Sequence, residues 1–235
     1  MMDFGTPVLE PGSANGVKQV PQFNPYQDNG GTVASIAGDD YVIVAADTRF
    51  TLGYSIPTRK ISRVLKINDK VMLGTAGMQA DMCALHKVMS TRMRMYEHDN
   101  NKPMTFNAVS QMLSTVLYYK RFFPYYTFNI VAGLDDKGEG WVCGYDAIGS
   151  FEQRKIVCNG AGTKLMQPVF DNQVDWAQSW DGAGKPNLSL EQATDLMKDA
   201  FTSAAEREIT VGDTLQIYKI TKDGIELEEF ELKKD

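Results

Sequence analysis

The chain switches several times between short runs of small, β-branched and apolar residues and longer stretches with helical periodicity. Thr32 to Ala37 is mostly small and β-branched, which is typical of a strand, and Tyr41 to Ala46 is a near-continuous apolar run. An apolar run without polar alternation indicates a strand that is covered on both faces. Because Gly38 to Asp40 between the two runs has turn chemistry, the sequence predicts a buried hairpin here.

Further strands are predicted where apolar runs stand between turn residues. The segment from Phe50 to Ile61, which contains Gly53 and Pro57, is predicted to be irregular. The strands predicted after it are Val64 to Ile67, Val71 to Thr75, Thr127 to Gly133, Gly140 to Tyr145, Phe151 to Val157, Thr214 to Thr221 and Ile225 to Leu232. The last two are expected to form a hairpin, since an Asp-Gly turn lies between them.

Four stretches place apolar residues three and four positions apart, the spacing of one helix face. They run from about Gln79 to His98, from a cap at Thr105 or Asn107 to about Arg121, from Thr163 to about Trp176, and from Ser189 past Phe201. The resulting order is strands, two helices, strands, two helices, strands. This order is not the alternation of a parallel sheet, so it predicts an α+β domain of antiparallel sheets with helices grouped on their outer faces.

Composition divides the chain into an extension and one domain. Residues 1–28 are rich in Pro, Gly, Asn and Gln and show no periodicity, so we interpret them as an N-terminal extension or propeptide. Residues 29–235 contain neither an internal repeat nor a low-complexity linker, which favours a single domain. A hydrophobic content of 43% and a charged content of 23% are sufficient for a sizeable core.

The charge and the thiols exclude several classes of function. A formal net charge of -6 argues against nucleic acid or an anionic membrane as the main partner. No apolar run approaches the roughly 18 residues of a membrane span, and the start of the chain lacks the basic and apolar regions of a secretory signal. Cys83, Cys143 and Cys158 form no CxxC pair and predict buried thiols in a reducing compartment. His86 and His98 lack metal-site spacing and are predicted to be ordinary helix residues.

The segment Asn29-Gly30-Gly31-Thr32, followed by the predicted hairpin and Ala46-Asp47-Thr48-Arg49, resembles the start of a mature proteasome β subunit. The resemblance extends from about Gln22 to Asp235, and the other blocks that carry it are Asn24-Pro25-Tyr26, Arg121-Phe122-Phe123-Pro124-Tyr125-Tyr126, Ala132-Gly133-Leu134-Asp135, Asp171-Asn172-Gln173-Val174 and Ser203-Ala204-Ala205-Glu206-Arg207. It implies the N-terminal-nucleophile hydrolase fold, a four-layer αββα sandwich of two antiparallel sheets between helical layers.

The same resemblance implies partners and a location. The partners would be other β subunits in a seven-membered ring, α-ring subunits and a second β ring, enclosing a proteolytic chamber for ATP- and ubiquitin-dependent protein degradation. The location would be the cytoplasm and the nucleus. The resemblance implies no cofactor and no metal.

Active members of this family expose a threonine by autolysis after a glycine, and the threonine hydroxyl attacks a peptide carbonyl while the free α-amine takes part in proton transfer. In such members an aspartate follows the nucleophile by sixteen residues and a lysine follows it by thirty-two. Here Asp47 stands sixteen residues after Gly31, so the nucleophile position holds glycine and Thr32 lies one place too late. The lysine position holds Arg63, which keeps its proton permanently.

The remaining family positions are also altered, apart from Gly77, which matches the oxyanion-hole glycine or is a plain turn glycine. Ala161 stands where the family has the serine of Gly-Ser-Gly, and Glu208 and Val211 stand where it has Asp-x-x-Ser. Together these changes predict that the chain has no working site and is a non-catalytic, structural β subunit. The resemblance also implies that the turn with Asp135 and Asp136 contributes to a neighbouring subunit's specificity pocket.

Two alternatives stay open at this point. One is an active threonine endopeptidase that uses Thr32 after autolysis, and the other is an unrelated α+β binding domain. Without the resemblance, Asp47 and Arg49 would be interpreted as a solvated hairpin end or a structural ion pair; given the resemblance, we interpret them as a retained structural remnant. If a neighbour's active site trims the extension, we expect trimming to stop short of Thr32, near Gln22.

Overall fold

The computed structural model describes residues 23–175 and 187–235. Within them lie twelve strands: β1 (Thr32–Ala37), β2 (Val42–Asp47), β3 (Phe50–Leu52), β4 (Ser55–Thr58), β5 (Val64–Lys66), β6 (Val71–Gly77), β7 (Thr127–Leu134), β8 (Gly140–Tyr145), β9 (Phe151–Arg154), β10 (Ile156–Gly160), β11 (Thr214–Thr221) and β12 (Gly224–Glu231). The α-helices in the same part of the chain are α1 (Gln79–Asn100), α2 (Phe106–Tyr119), α3 (Thr163–Phe170) and α4 (Leu190–Ala205). None of these helices is long and apolar enough to cross a membrane.

The strands form two antiparallel five-stranded sheets and one small hairpin. The first sheet has the order β10-β1-β2-β11-β12, the second has the order β5-β6-β7-β8-β9, and β3 pairs only with β4. Consecutive strands are mostly neighbours because short turns join them, and the β11–β12 hairpin closes across Thr221 and Gly224 as the Asp-Gly turn predicts.

Side chains on both faces of β2 are buried, which explains why its sequence is a continuous apolar run. Val42 and Val44 pack between the two sheets, whereas Ile43 and Ala45 point to the opposite face, against α3 and α4. Apolar residues of α1 and α2 pack on the outer face of the second sheet. The predicted α+β sandwich of two antiparallel sheets between helical layers is therefore confirmed.

Two helix starts agree with their local sequence. Thr105 caps α2, because its side chain accepts a hydrogen bond from the N–H of Ala108. Ser189 begins α4 with a capping box that it forms with Gln192. The helical face predicted for α1 is also confirmed, since Met82 and Leu85 and the later residues Met89 and Met93 are buried.

Several details of the prediction are wrong. The Phe50 to Ile61 segment is not wholly irregular, since it contains the β3–β4 hairpin. The stretch Phe151 to Val157 is two strands rather than one, because the exposed strand β9 ends at Arg154 and the chain then crosses to the other sheet. Ala37 donates its N–H to the carbonyl of Lys155 at 2.7 Å, which fixes the crossing point.

The third helix and one thiol also differ from expectation. The α-helix α3 ends at Phe170 and continues as a π-helical turn over Asp171–Asp175. Cys143 and Cys158 are buried, as predicted, but Cys83 lies on an exposed position of α1. The predicted extension up to Gln22, Trp176 at the expected end of the helix, and the polar loop with Gly182, Gly184 and Pro186 lie outside the described residues.

Candidate functional site

The structure brings Gly31, Asp47 and Arg63 together at one end of the first sheet. Gly31 directly precedes β1, Asp47 ends β2, and Arg63 lies just before β5. The Nε atom of Arg63 is 3.5 Å from Oδ1 of Asp47. A Cβ atom added to Gly31 would lie 2.0 Å from Cζ of Arg63. The guanidinium therefore occupies the space where a nucleophile's side chain would begin.

Arg63 is completely buried, and backbone carbonyls hold its guanidinium in place. Its Nε donates to the carbonyl oxygen of Asp47 at 3.1 Å, and its Nη2 donates to the carbonyl oxygen of Arg49. Its Nη1 has no hydrogen-bond partner within the described part of the chain. Because an arginine keeps its proton at any ordinary pH, this side chain supplies charge and packing but no base.

The carboxylate of Asp47 accepts hydrogen bonds from the start of β1 and from the loop before β11. Oδ1 accepts the N–H of Thr32 at 2.7 Å, and Oδ2 accepts the N–H of Gly212 at 3.4 Å. Burial raises the pKa of Asp47, although the adjacent Arg63 guanidinium and the donated backbone N–H groups act in the opposite direction. The carboxylate thus fixes the start of β1 against the loop before β11.

The turn after β10 meets the start of β1. Ala161 donates its N–H to the carbonyl of Gly31 at 3.0 Å, and Gly162 donates its N–H to Oγ1 of Thr32 at 2.8 Å. Thr32 is fully buried within β1, where it lies opposite Gly160 of β10. Ala161 is close to the nucleophile position, but it offers only its backbone.

Gly77 ends β6 on the other side of the site. Its φ of +113° lies in the region that glycine adopts readily, and an added Cβ would lie 2.6 Å from the carbonyl oxygen of Tyr126. The next residue, Met78, donates its N–H to the same oxygen at 2.9 Å. The positive φ and the backbone packing are therefore sufficient to require glycine here.

Glu208 and Val211 lie in the loop between α4 and β11 and serve local structure. Oε1 of Glu208 accepts the N–H of Thr210 at 3.1 Å and its hydroxyl at 2.8 Å. Val211 is buried in the core beside α4. Neither residue offers a polar group to Gly31, although the same loop supplies the N–H of Gly212 to Asp47.

Arg49 has a partner that the sequence did not suggest. It pairs with Asp213 rather than with Asp47, at 3.0 Å between Nε and Oδ2, and both side chains are almost fully buried. Arg59 approaches the other oxygen of Asp213. Asp213 lies 164 residues after Arg49, and no motif or spacing singled it out. Asn29 also makes contacts that no sequence pattern indicated: its Nδ2 donates to the carbonyl of Thr51 at 3.1 Å, and its Oδ1 accepts the N–H of Gln79 at 2.9 Å.

Asp135 and Asp136 lie on the turn between β7 and β8, away from the other site positions. Oδ1 of Asp135 accepts the N–H groups of Lys137 at 2.8 Å and Glu139 at 2.9 Å, and hydrogen bonding to Glu139 lowers its pKa. Asp136 is exposed. Of this pair, Asp135 organises the turn and Asp136 presents a carboxylate to the surroundings.

Within residues 23–175 and 187–235 there is no group of three or more His, Cys, Asp or Glu side chains arranged to hold a metal ion. The buried thiol of Cys158 does not add a metal ligand, because burial raises its pKa to about 12 and keeps the thiol protonated.

Comparison with known proteins shows which family the chain belongs to. A family model described as proteasome subunit matches residues 27–220. The chain is 46% identical over 215 residues to proteasome subunit beta type-1 of Dictyostelium discoideum, covering 91% of each chain. It is 46% identical to proteasome subunit beta type-1 of Petunia hybrida, covering 93% of this chain and 99% of the relative, and 41% identical to proteasome subunit beta type-6 of Saccharomyces cerevisiae, covering 91% and 92%. The chain belongs to the proteasome subunit family.

Proposed function

We propose that this chain is a non-catalytic, structural β subunit of the 20S proteasome core. The observation that carries the proposal is the guanidinium of Arg63, which lies where a side chain at residue 31 would project. A threonine nucleophile needs a hydroxyl, a free α-amine and a group that can take a proton. Position 31 supplies no hydroxyl, and Arg63 cannot accept a proton.

The alternative nucleophile, Thr32, is engaged in structure. Its hydroxyl accepts the N–H of Gly162, its own N–H donates to Asp47, and it is paired with β10. Cleavage before Thr32 would remove the Gly31 carbonyl that Ala161 uses as an acceptor. These contacts argue against an active endopeptidase based on Thr32. Membership in the proteasome subunit family also removes the alternative of an unrelated binding domain.

The chain assembles with other proteasome subunits, and its relatives carry β-type names. The finer arrangement belongs to the proposal: a seven-membered β ring, α-ring subunits outside it, and a second β ring facing it. The chain would line a chamber in which neighbouring subunits perform ATP- and ubiquitin-dependent protein degradation. We also propose that it resides in the cytoplasm and the nucleus and contributes Asp135 and Asp136 near a neighbour's specificity pocket.

Native mass spectrometry combined with covalent labelling tests the structural role. We expect the chain to occur in a particle far heavier than its own 26.2 kDa and to remain unlabelled by a threonine-directed inhibitor that labels neighbouring subunits. A labelled Thr32, or a chain that stays monomeric in cell extracts, would contradict the proposal.

A further inference from the structure

Large aromatic residues are exposed where α2 ends and the chain turns toward β7. Four of them lie within six consecutive residues, and more than half of each is exposed: Tyr118 (61%), Tyr119 (85%), Phe122 (93%) and Phe123 (55%). We refer to residues 118–123 as the aromatic turn. Exposed apolar side chains that stand singly are ordinary, whereas a contiguous group of them marks an interaction surface.

Neither the packing of α2 nor the turn itself explains these aromatic residues. The last turns of α2 pack on the second sheet through other residues, Leu113, Val116 and Leu117. Backbone hydrogen bonds hold the turn, since Arg121 donates its N–H to the carbonyl of Tyr118 at 3.0 Å and Phe123 donates its N–H to the carbonyl of Lys120 at 3.0 Å. Bonds of this kind form with any side chain, so the local fold does not require aromatic residues here.

Two cations give the aromatic turn a preference for negative charge. The guanidinium of Arg121 lies near two rings, with Cζ 6.0 Å from the centroid of Tyr118 and 5.3 Å from that of Phe122. The ammonium of Lys120 lies 4.8 Å from the centroid of Tyr125. Among the described residues, neither cation forms an ion pair with a carboxylate. Because the chain as a whole carries a net charge of -6, this positive aromatic surface is a local exception that complements an acidic partner.

The composition and the rigidity of the turn favour a folded protein partner. Tyr, Phe and Arg are the residues enriched in the buried cores of protein interfaces, and Tyr and Arg contribute much of the binding energy there. Surfaces that bind many different chains are typically flexible or rich in Met. The aromatic turn is short and closed by backbone hydrogen bonds, which suits one fixed partner better than a changing set of unfolded substrates.

We propose that the aromatic turn docks on a neighbouring proteasome subunit, at a segment where an apolar side chain stands beside an Asp or a Glu. Tyr119 and Phe122 are buried against the apolar side chain, and the carboxylate pairs with Arg121. The proposal rests on the proposed function, since it requires assembly into a particle. It adds which surface of this chain makes a contact and what chemistry that surface selects.

Incorporation into particles tests the two most exposed rings. A tagged chain carrying Tyr119→Ser and Phe122→Ser is expressed together with the native chain, and both are quantified in purified particles. We expect at least tenfold less of the variant, because its rings no longer bury apolar area against the partner. The matched control carries Leu52→Ser and Tyr54→Ser, which remove two exposed apolar side chains of the β3–β4 hairpin, and should change incorporation less than twofold. Undiminished incorporation of the variant, or an equal loss in the control, would overturn the proposal.

Thermal unfolding of the isolated full chain shows whether the rings serve the fold instead. Because Tyr119 and Phe122 are exposed, the double variant should unfold within about 2 °C of the native chain. A larger fall in the midpoint would assign the rings to internal stability and overturn the proposal.

Photocrosslinking in assembled particles identifies the partner. The photoreactive residue p-benzoylphenylalanine replaces Phe122, and the crosslinked peptides are sequenced. We expect a crosslink to another proteasome subunit, at a segment with an Asp or Glu beside the crosslinked residue. Crosslinks only to this chain itself, only to an unfolded polypeptide added to the particles, or to a segment without a carboxylate would overturn the proposal.

Charge reversal tests the ion pair. Arg121→Glu should lower incorporation at least tenfold, and replacing the partner's crosslinked carboxylate by Lys should restore it. Arg92→Glu, at an exposed position of α1, is the control for added negative charge and should change incorporation less than twofold. Equal effects of Arg121→Glu and Arg92→Glu, or no restoration, would contradict the pairing.

Two results separate loss of the docking surface from loss of the proposed function. A native chain that is absent from purified particles contradicts both. A native chain that is present beside an equal amount of the chain with Tyr119→Ser and Phe122→Ser contradicts the docking surface alone.

Discussion

The guanidinium of Arg63 lies where a side chain at Gly31 would begin: a Cβ atom on Gly31 would lie 2.0 Å from Cζ and 2.3 Å from Nε of Arg63. Gly31 also adopts a φ of +80°, which disfavours any residue with a side chain. The glycine at the nucleophile position and the arginine at the lysine position are therefore one coupled feature rather than two separate losses.

This coupling predicts a non-additive mutant pair. Gly31→Ala should lower the free energy of unfolding by about 2–3 kcal/mol through crowding and backbone strain. In an Arg63→Lys background the same change should cost at least about 1 kcal/mol less, because the guanidinium is gone. Urea unfolding of the four chains measures the coupling.

The control for backbone strain is Gly53→Ala. Gly53 has a φ of +60° but no atom within 4 Å of an added Cβ, so it isolates strain without crowding. We expect it to cost about 1 kcal/mol in either background. Additive effects of Gly31→Ala and Arg63→Lys would show that Arg63 moves aside freely.

Restoring a threonine at position 31 should not restore activity. In Gly31→Thr the new hydroxyl faces a permanently protonated Arg63, while Ala161 and Val211 supply no hydroxyl. Groups that act together are non-additive, and a missing base alone costs about 10²- to 10⁴-fold in rate. We expect incorporation into particles without new hydrolysis or covalent labelling.

The combination of Gly31→Thr with Arg63→Lys, Ala161→Ser, Glu208→Asp and Val211→Ser is the better candidate for partial rescue. Arg63→Lys both frees space beside position 31 and introduces an amine that can exchange its proton. Labelling of the single Gly31→Thr variant at its new threonine would show that a working site does not need the supporting residues.

Local pattern was sufficient to predict elements whose partner is nearby in sequence. The β1–β2 and β11–β12 hairpins and the buried face of α1 follow from apolar spacing and turn chemistry. The crossing at Lys155 does not, because the apolar pattern on either side is compatible with one continuous strand. Which sheet receives β10 depends on pairing with β1, more than a hundred residues earlier.

The candidate site, too, could be predicted from the sequence only in part. The altered positions Gly31, Arg63 and Ala161 could be located by their resemblance to family positions. Their consequences could not, since the direction of the Arg63 side chain depends on the carbonyls of Asp47 and Arg49. The partner of Arg49 likewise lies far along the chain at Asp213, where no local pattern predicts an ion pair.

Substitutions in the β7–β8 turn should distinguish a carboxylate that stabilises the turn from one that contributes to a neighbouring subunit's pocket. We predict that Asp135→Ala changes cleavage after large apolar residues by a neighbouring subunit while other activities stay constant. Asp136→Ala removes an exposed carboxylate without removing turn hydrogen bonds, so it reports on the pocket alone. Fluorogenic peptides measure each activity in purified particles. Equal effects on all activities, or none from either variant, would count against a pocket contribution.

The mature N-terminus should lie upstream of Phe23. Gly31 provides no hydroxyl for autolysis, so any trimming depends on a neighbour's active site and should stop short of Thr32, near Gln22. Residues 23–31 are then retained, with the Tyr26 hydroxyl donating to the carbonyl of Pro124 and the Asn29 side chain donating to the carbonyl of Thr51. Intact-mass analysis of the subunit from purified particles checks this, and a mature chain that begins at Thr32 would refute it.

The isolated chain should lose stability in mild acid because of His86. Nε2 of His86 lies 2.9 Å from the hydroxyl of Thr75, which donates its own proton to Oδ1 of Asn129 at 3.0 Å. Thr75 can then only accept from His86, so Nε2 of His86 carries a proton. Burial lowers the pKa of His86 to about 4.

The direction of the effect follows from linkage. The unfolded chain binds a proton at His86 near pH 6.5, whereas the folded chain resists it until about pH 4. This contribution to stability is complete above pH 6.5 and is lost as the pH falls toward 4, amounting to about 3 kcal/mol. Free energies of unfolding across this range should fall more steeply for the native sequence than for His86→Gln, which keeps a donor for Thr75 but does not titrate. His98→Gln, at an exposed position of the same helix, should leave the slope unchanged. Parallel pH profiles for the native chain and His86→Gln would show that the buried imidazole does not control this acid sensitivity.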